Sequence, residues 1–201
     1  MTKTALAAVA VLTLALTGAN VSTANAAPEP VLKVTYDATG SSTVIKTGSV
    51  VALGPTTLQT DVLPDGSFTG QLVLPPAQTS FKLLGFLTVT ATVNFIPVDP
   101  VQGALGVNKV SSEAFFDIRL SDVSLAGVPT FVGDSCQTGR TVIPANTPEG
   151  EKFDLAKGGN LTGTYTIGQF SNCGLTTVLI NQLIPGPGNT ANLVLSNGRL
   201  G

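Results

Sequence analysis

Two acidic side chains, Glu113 and Asp117, come nearest in type and spacing to a catalytic pair. Paired carboxylates carry out glycoside hydrolysis. Both lie in Ser112–Ser121, whose alternating apolar and polar residues predict a strand with this pair on its outer face. A rise of about 3.3 Å per residue would separate their Cα atoms by roughly 13 Å, too far for such a pair. The spacing instead favours an exposed ion pair between Asp117 and Arg119.

Three further patterns point to chemistry only weakly. Ser80-Phe81-Lys82 has the residues of a Ser-Lys hydrolase, but nothing in the segment indicates a pocket. The acidic stretch 149–154 is the densest in the chain, yet it lacks the spacing of a calcium loop and is typical of a solvated turn. The glycine-rich stretches do not have the spacing of a phosphate-binding loop.

The chain contains no histidine and no tryptophan, and only two tyrosines. The lack of histidine removes the commonest general base and nearly all zinc sites. The lack of aromatic platforms weakens the case for a carbohydrate-binding module. We therefore expect no catalytic, cofactor-binding or metal-binding residues, and we do not expect an enzyme.

Two cysteines, Cys136 and Cys173, predict a structural disulfide. Neither belongs to a C-x-x-C motif, and no histidine is present to activate a thiol. An even count in an exported chain is typical of a disulfide, here worth roughly 3–4 kcal/mol.

The first 26 residues have the pattern of a secretory signal peptide. Lys3 precedes an apolar run that is shorter than a membrane-spanning helix, and Ala24-Asn25-Ala26 has the small residues of a cleavage site. Cleavage between Ala26 and Ala27 would leave a single secreted domain, 27–201, with no transmembrane segment. We expect a secreted protein, with the bacterial cell envelope as a possible setting.

Charge argues against nucleic acid as a partner. Without Lys3, nine basic residues face twelve acidic ones, and no cluster of lysine or arginine is present. The expected partner is an unidentified envelope or extracellular molecule, and the sequence does not define the oligomeric state.

Period-two alternation predicts an all-β fold, an antiparallel β-sandwich or a barrel-like sheet. In 86–96, Leu87, Val89, Ala91, Val93 and Phe95 point inward, and threonines line the outer face. In 112–121, Ala114, Phe116, Ile118 and Leu120 point inward and Phe115 points outward. The other predicted strands are 31–36, 43–53, 57–62, 68–74, 81–84, 104–110, 123–125, 152–155, 161–167 and 192–195.

Turn residues divide these strands. Leu63-Pro64-Asp65-Gly66 predicts a hairpin turn. Further breaks are predicted at 37–40, 54–55, 74–76, 98–100, 127–129 and 158–160.

One segment, 174–184, has helical spacing. Leu175, Val178, Leu179, Leu183 and Ile184 recur at i, i+3, i+4, i+8 and i+9, which predicts one short helix with this face on the sheet. Pro185-Gly186 ends the pattern.

Several short phrases together resemble a group of small secreted actinobacterial proteins that carry a signal peptide and two cysteines. The phrases are Leu74–Ala77, 84–93, Gly159–Ile167, Cys173–Leu175 and Gly186–Thr190. The resemblance implies an exported β-protein in a cell-envelope setting and assigns no functional residue.

Three functional hypotheses follow. The leading one is a non-enzymatic secreted or envelope-associated protein that works by surface or ligand binding. The second is an apolar-ligand or lipid carrier with a cavity beside the sheet, and the third is a hydrolase using carboxylates or a Ser-Lys pair.

Overall fold

A computed structural model describes residues 29–30 and 32–201. The predicted signal peptide and its cleavage site at Ala26 and Ala27 lie outside the described residues.

The described chain is all-β with one short helix, as the sequence predicts. Every strand pairing is antiparallel. The strands are β1 (Leu32–Val44), β2 (Ser49–Val62), β3 (Ser67–Leu72), β4 (Ala77–Leu83), β5 (Leu87–Gly106), β6 (Lys109–Leu125), β7 (Val128–Pro129), β8 (Gln137–Thr138), β9 (Thr141–Asn146), β10 (Gly158–Ile167), β11 (Phe170–Ser171) and β12 (Gly186–Leu200).

Eight strands form a closed ring. The pairing runs β6-β9-β10-β12-β1-β2-β3-β5, and β5 pairs in turn with β6. The long strand β5 serves two neighbours, since its first part pairs with β4 and its later part with β3. Of the two arrangements that the sequence left open, the barrel-like one is therefore observed.

Close contact between β9 and β10 is needed for the ring to close. A side chain at Gly163 would overlap the backbone carbonyl of Pro144 on β9, so only glycine fits at this crossing. The glycine in the middle of β10 therefore has a packing role.

The interior of the ring is the hydrophobic core. The inward residues predicted for β6 are all buried, as are Val89, Ala91, Val93 and Phe95 on β5. Phe115 lies on the outer face, as predicted, but it is only 5% exposed. The guanidinium of Arg140 covers its ring at 4.2 Å and pairs with Asp99 at 2.9 Å.

The predicted turn at 63–66 is confirmed. It joins β2 and β3, with the Gly66 N–H donating to the Leu63 carbonyl at 3.0 Å. By contrast, the breaks predicted at 37–40, 54–55 and 98–100 lie inside long strands, at positions where the register shifts. Glycine and proline mark β-bulges there rather than strand ends. A bulge interrupts the regular hydrogen bonding between strands, so it accommodates both residue types.

Two predicted strands are wrong in their limits, and a third is not a strand. The segments 43–53 and 104–110 each contain a tight turn, at 45–48 and 107–108. Residues 152–155 form a turn region with one isolated bridge, Asp154 to Gly158. In each case apolar residues at turn tips imitate the alternation of a strand.

The predicted helix consists of a 3-10 turn (Gly174–Thr176) followed by α1 (Thr177–Leu183). Its predicted inner face is partly wrong. Leu175 and Val178 are exposed, whereas Ile180 is buried. The 3-10 turn winds more tightly than an α-helix, so it rotates Leu175 out of the stripe.

The disulfide between Cys136 and Cys173 is confirmed, and both cysteines are fully buried. It ties the start of the helix to the segment before β8. In the part of the chain that the structure describes, no helix has the length and apolar character needed to span a bilayer.

Candidate functional site

The residues singled out for chemistry do not converge. Glu113 lies opposite Gln102 and Pro144, whereas Asp117 lies opposite Ile96. The Asp117 carboxylate accepts a hydrogen bond from the Gln137 amide at 3.3 Å instead of pairing with Arg119. The predicted ion pair is therefore wrong, and Asp117 accepts a hydrogen bond from an uncharged amide instead.

Ser80 and Lys82 share the outer face of β4 without contacting each other by hydrogen bond. The Lys82 ammonium donates to the Thr88 hydroxyl at 2.5 Å. A serine nucleophile needs its base within hydrogen-bond reach, so this arrangement gives no support to Ser-Lys catalysis.

The acidic stretch 149–154 folds as a turn. The Asp154 carboxylate accepts from the backbone N–H groups of Lys157 and Ala156, both at 2.9 Å, and these bonds lower its pKa. Glu151 accepts from the Asn160 amide at 2.9 Å. Among the described residues, no group of three potential metal ligands comes together.

Among the described residues, small cavities in the core have volumes of about 20, 40, 50 and 70 Å³. Each is bounded almost wholly by apolar side chains. Each is far below the roughly 300 Å³ at which ligand pockets begin. None of these cavities has the volume of a lipid-binding pocket.

The tyrosine hydroxyls in this interior have hydrogen-bond partners. The Ser42 and Tyr165 hydroxyls are 2.7 Å apart, and burial raises the pKa of Tyr165. At the opposite end of the interior, the Tyr36 hydroxyl donates to the Leu155 carbonyl at 2.8 Å, and burial raises the pKa of Tyr36 to about 12. Both tyrosines are therefore structural and neutral at physiological pH.

One end of the closed sheet exposes large apolar side chains. The β1–β2 turn, the β4–β5 hairpin, the segment after β6 and the helix converge there around the 70 Å³ and 40 Å³ cavities. We call this region the apolar end. Its exposed apolar residues are Ile45, Leu84, Phe86, Val128, Phe131, Leu175, Val178 and Leu179.

The degree of exposure is high. Phe131 is 93% exposed, Leu84 is 77% exposed, Phe86 is 70% exposed, and Leu175 is fully exposed. Single exposed apolar residues are ordinary on protein surfaces, but eight at one end are typical of an interaction site.

Charge is almost absent from the apolar end. Its connecting segments, 45–48, 84–86, 126–135 and 172–185, contain only Lys46 and Asp134 as charged residues. Lys82 lies at the border on β4. The opposite end carries many charges in its turns and adjoining strand ends, namely Asp65, Lys109, Glu149, Glu151, Lys152, Asp154, Lys157 and Arg199. The molecule is therefore amphipathic along the axis of the ring.

An open cleft of about 660 Å³ lies on the outer surface, beside the apolar end. It crosses four strands or their ends, from Asp122 on β6 over β5 and β4 to Val50 on β2. We call it the hydroxyl cleft. Its lining residues are Gly48, Val50, Gln78, Thr79, Ser80, Thr90, Ala91, Thr92 and Asp122.

Sequence reasoning missed both surfaces. The helix at 174–184 was found, but its apolar residues were assigned to the core although three of them are exposed. The threonine-rich outer face of β5 was recognised, but its partners on β4 and β6 were not. The available signal was the scarcity of charge in 172–185 and 126–133.

Comparison with known proteins gives no assignment, since no family model, no curated protein and no solved structure matches this chain.

Proposed function

We propose that this chain is an exported, non-enzymatic protein of the cell envelope that docks on a lipid surface through its apolar end. The observation that carries this proposal is the exposure of eight large apolar side chains at one nearly uncharged end of a rigid sheet. Export is supported by the predicted signal peptide and by the disulfide, which is typical of an oxidising compartment.

The energetics suit reversible docking. Full burial of one Leu, Val or Phe side chain contributes about 1.5–3 kcal/mol. Four inserted side chains would contribute roughly 6–12 kcal/mol before the entropic cost of association is subtracted. With Lys46 and Asp134 as the only charges in these segments, little charge has to be desolvated on insertion.

The shape of the apolar end favours lipid over a flat protein partner. The exposed side chains project from four separate segments rather than lining one groove. A fluid surface can close around each projection. Two copies meeting end to end would bring projection against projection and leave gaps between them.

In the exported form that we propose, too few residues precede β1 to reach this end. β1 begins at Leu32, at the charged end, and its 13 residues extend about 40 Å toward the apolar end. With cleavage after Ala26, residues 27–31 would span at most about 18 Å. The occupant is therefore another molecule.

The rival hypotheses have less support. A carrier of apolar ligands lacks a cavity of suitable volume among the described cavities. A hydrolase lacks a convergent nucleophile and base, since Lys82 binds Thr88 and Glu113 and Asp117 face different partners.

Co-sedimentation with phosphatidylcholine vesicles tests the proposal. We expect the disulfide-bonded protein to bind, and the Phe131→Ser, Leu175→Ser double variant to bind at least tenfold more weakly. The matched control is Val107→Ser, which removes an apolar side chain that is 91% exposed at the charged end. All three side chains are exposed, so we expect unchanged circular dichroism and thermal stability.

Three outcomes would contradict lipid docking. They are failure of the wild-type protein to bind vesicles, an equal loss in Val107→Ser, and a dimer in solution that the double variant abolishes without any lipid present. The last outcome would identify a second copy as the occupant.

A further inference from the structure

The hydroxyl cleft lies at a height that a docked molecule would place among lipid head groups. Thr90 is three residues from the start of β5, and Ser80 is three residues from the end of β4. At about 3.3 Å per residue, these positions lie roughly 10 Å from the strand ends that join the β4–β5 turn. Interfacial apolar faces are buried about 5–10 Å into the boundary between head groups and acyl chains. The cleft would therefore open at the head-group layer.

Several polar side chains of the cleft make no hydrogen bond within the described residues. They are the amide of Gln78 and the hydroxyls of Ser80 and Thr92, whereas Thr90 shares a hydrogen bond with Ser124 and Thr79 donates to the Val50 carbonyl. Gln78 lies directly opposite Thr92, and Thr92 lies opposite Ser121. Gln78 and Thr92 thus lie in one row across adjacent strands, with about 4.8 Å between strands, and Ser80 lies two residues further along β4.

Asp122 supplies the only charge in this row, and a β-bulge positions it. Thr90 pairs with Ser124 and Thr92 pairs with Ser121, so two residues of β6, Asp122 and Val123, face one residue of β5. Asp122 adopts a φ of 50°, a left-handed conformation that aspartate tolerates better than most residues. One of its oxygens, Oδ2, accepts from the Ser121 hydroxyl at 3.2 Å, so Oδ1 can accept a further donor.

This lining selects a class of ligand. A phosphate or carboxylate would meet the Asp122 carboxylate and no cation among the lining residues. An extended peptide binds along a strand edge through main-chain groups, but the cleft crosses strands whose ladders on β4, β5 and β6 are already paired. A neutral ligand with several hydroxyls matches the unpaired groups of the cleft, which are one amide, two hydroxyls and one carboxylate acceptor.

We infer that the hydroxyl cleft binds the neutral sugar head group of a glycolipid in the surface on which the apolar end docks. This inference rests on the proposed function, because docking holds the head group beside the cleft at high effective concentration. Because the head group is held beside the cleft, a few hydrogen bonds suffice to bind it, and an aromatic platform is not needed.

The test compares vesicles of phosphatidylcholine alone with vesicles in which about one fifth of the lipid is digalactosyl or diglucosyl diacylglycerol, or phosphatidylglycerol. We expect a neutral sugar lipid to tighten binding of the wild-type protein about tenfold and phosphatidylglycerol to leave it unchanged. Asp122→Asn and Thr92→Val should lose this gain and keep the affinity for phosphatidylcholine. Asn suits the left-handed backbone at position 122, and Val is isosteric with Thr. Thr69→Val, on the outer face of β3, is the control.

The outcomes separate the two proposals. If phosphatidylcholine is bound and neither sugar lipid adds affinity, or if both cleft variants keep the gain, the cleft assignment is overturned and lipid docking stands. If no vesicle is bound, the cleft is tested by titrating the protein with the free digalactosyl and diglucosyl head groups and following its amide chemical shifts. Amide shifts at 90–92 and 122 would then support a site for free glycans, and their absence would overturn the site altogether.

Discussion

Within the core, the buried side chains of Ser42, Tyr165 and Asn189 all have hydrogen-bond partners. Ser42 is 1% exposed and Tyr165 is 5% exposed, and their hydroxyls are each other's hydrogen-bond partner. Asn189, also buried, accepts from the Ile45 N–H at 3.1 Å and donates to the Gly186 carbonyl at 2.8 Å. These contacts join β1, β10 and β12 just below the apolar end. A buried polar group left without a partner costs more than the hydrogen bond itself contributes.

Removing one member of the Ser42–Tyr165 pair should therefore cost more than the hydrogen bond itself contributes, because the other hydroxyl stays buried without a partner. We expect Tyr165→Phe to lower the free energy of unfolding by about 1–3 kcal/mol, because the Ser42 hydroxyl stays buried and unpaired. Adding Ser42→Ala should cost little more, since it removes the orphaned group. Urea unfolding of the wild type, both single variants and the double variant measures the coupling. Additive losses would show that the two hydroxyls do not depend on each other.

The burial of Phe115 could not be predicted from the sequence. Alternation placed Phe115 on the outer face of β6, and that placement is correct. Its burial depends on Arg140, which reaches it from the segment between β8 and β9. The local sequence around Phe115 cannot predict this contact, because Arg140 lies 25 residues further along the chain.

The position of the helix depends on its contacts with neighbouring segments more than on its own stability. The Asn181 amide binds both backbone groups of Phe170, at 2.7 and 2.9 Å, and the disulfide fixes Cys173. Seven residues of α-helix are too few to be stable alone. Ile180 is its only buried residue. The helix is therefore held over the sheet by a covalent link and one bidentate side chain.

Loss of the disulfide should thus affect the helix before the sheet. Opening a loop of 37 residues should lower the free energy of unfolding by about 4 kcal/mol in the chain-entropy model. We expect the Cys136→Ser, Cys173→Ser variant to show faster hydrogen exchange in 170–184, while β1, β2 and β12 keep their protection. Dithiothreitol treatment of the wild type provides a matched control. Uniform acceleration in all strands would contradict a local role for the bridge.

The faces of the strands could be predicted from the local sequence, whereas the β-bulges could not. The inner and outer faces of β5 and β6 follow from alternation, which each strand carries in itself. Gly54-Pro55 was interpreted as a strand break but lies within β2, opposite the backbone of Thr39 on β1. Whether a glycine ends a strand or bends it depends on a partner strand that is absent from the local sequence.

At the scale of the molecule, charge and apolar surface are separated along the axis. Docking through the apolar end would involve apolar insertion with little charge pairing, because Lys46 and Asp134 nearly balance there. Electrostatic contributions fall as the Debye length shortens, from about 10 Å at 0.1 M salt to about 3 Å at 1 M salt, whereas hydrophobic burial does not.

Vesicle binding should accordingly be insensitive to salt. We expect affinity for phosphatidylcholine vesicles to change less than twofold between low and high sodium chloride. Vesicles containing phosphatidylglycerol should behave in the same way. A fall of tenfold or more at high salt would show that Lys46 and Lys82 dominate the contact and that the apolar side chains do not.

The sequence by itself determined the all-β class, the disulfide and the inward faces of the long strands, because these depend on residue type and on alternation within a segment. Tertiary structure alone decided that the strands close into a ring, that the helix turns Leu175 and Val178 outward, and that Asp122 joins Thr92 and Gln78 in one cleft. These features arise from pairings between distant segments. Pairing register and burial are properties of two surfaces in contact, and a local pattern describes only one of them.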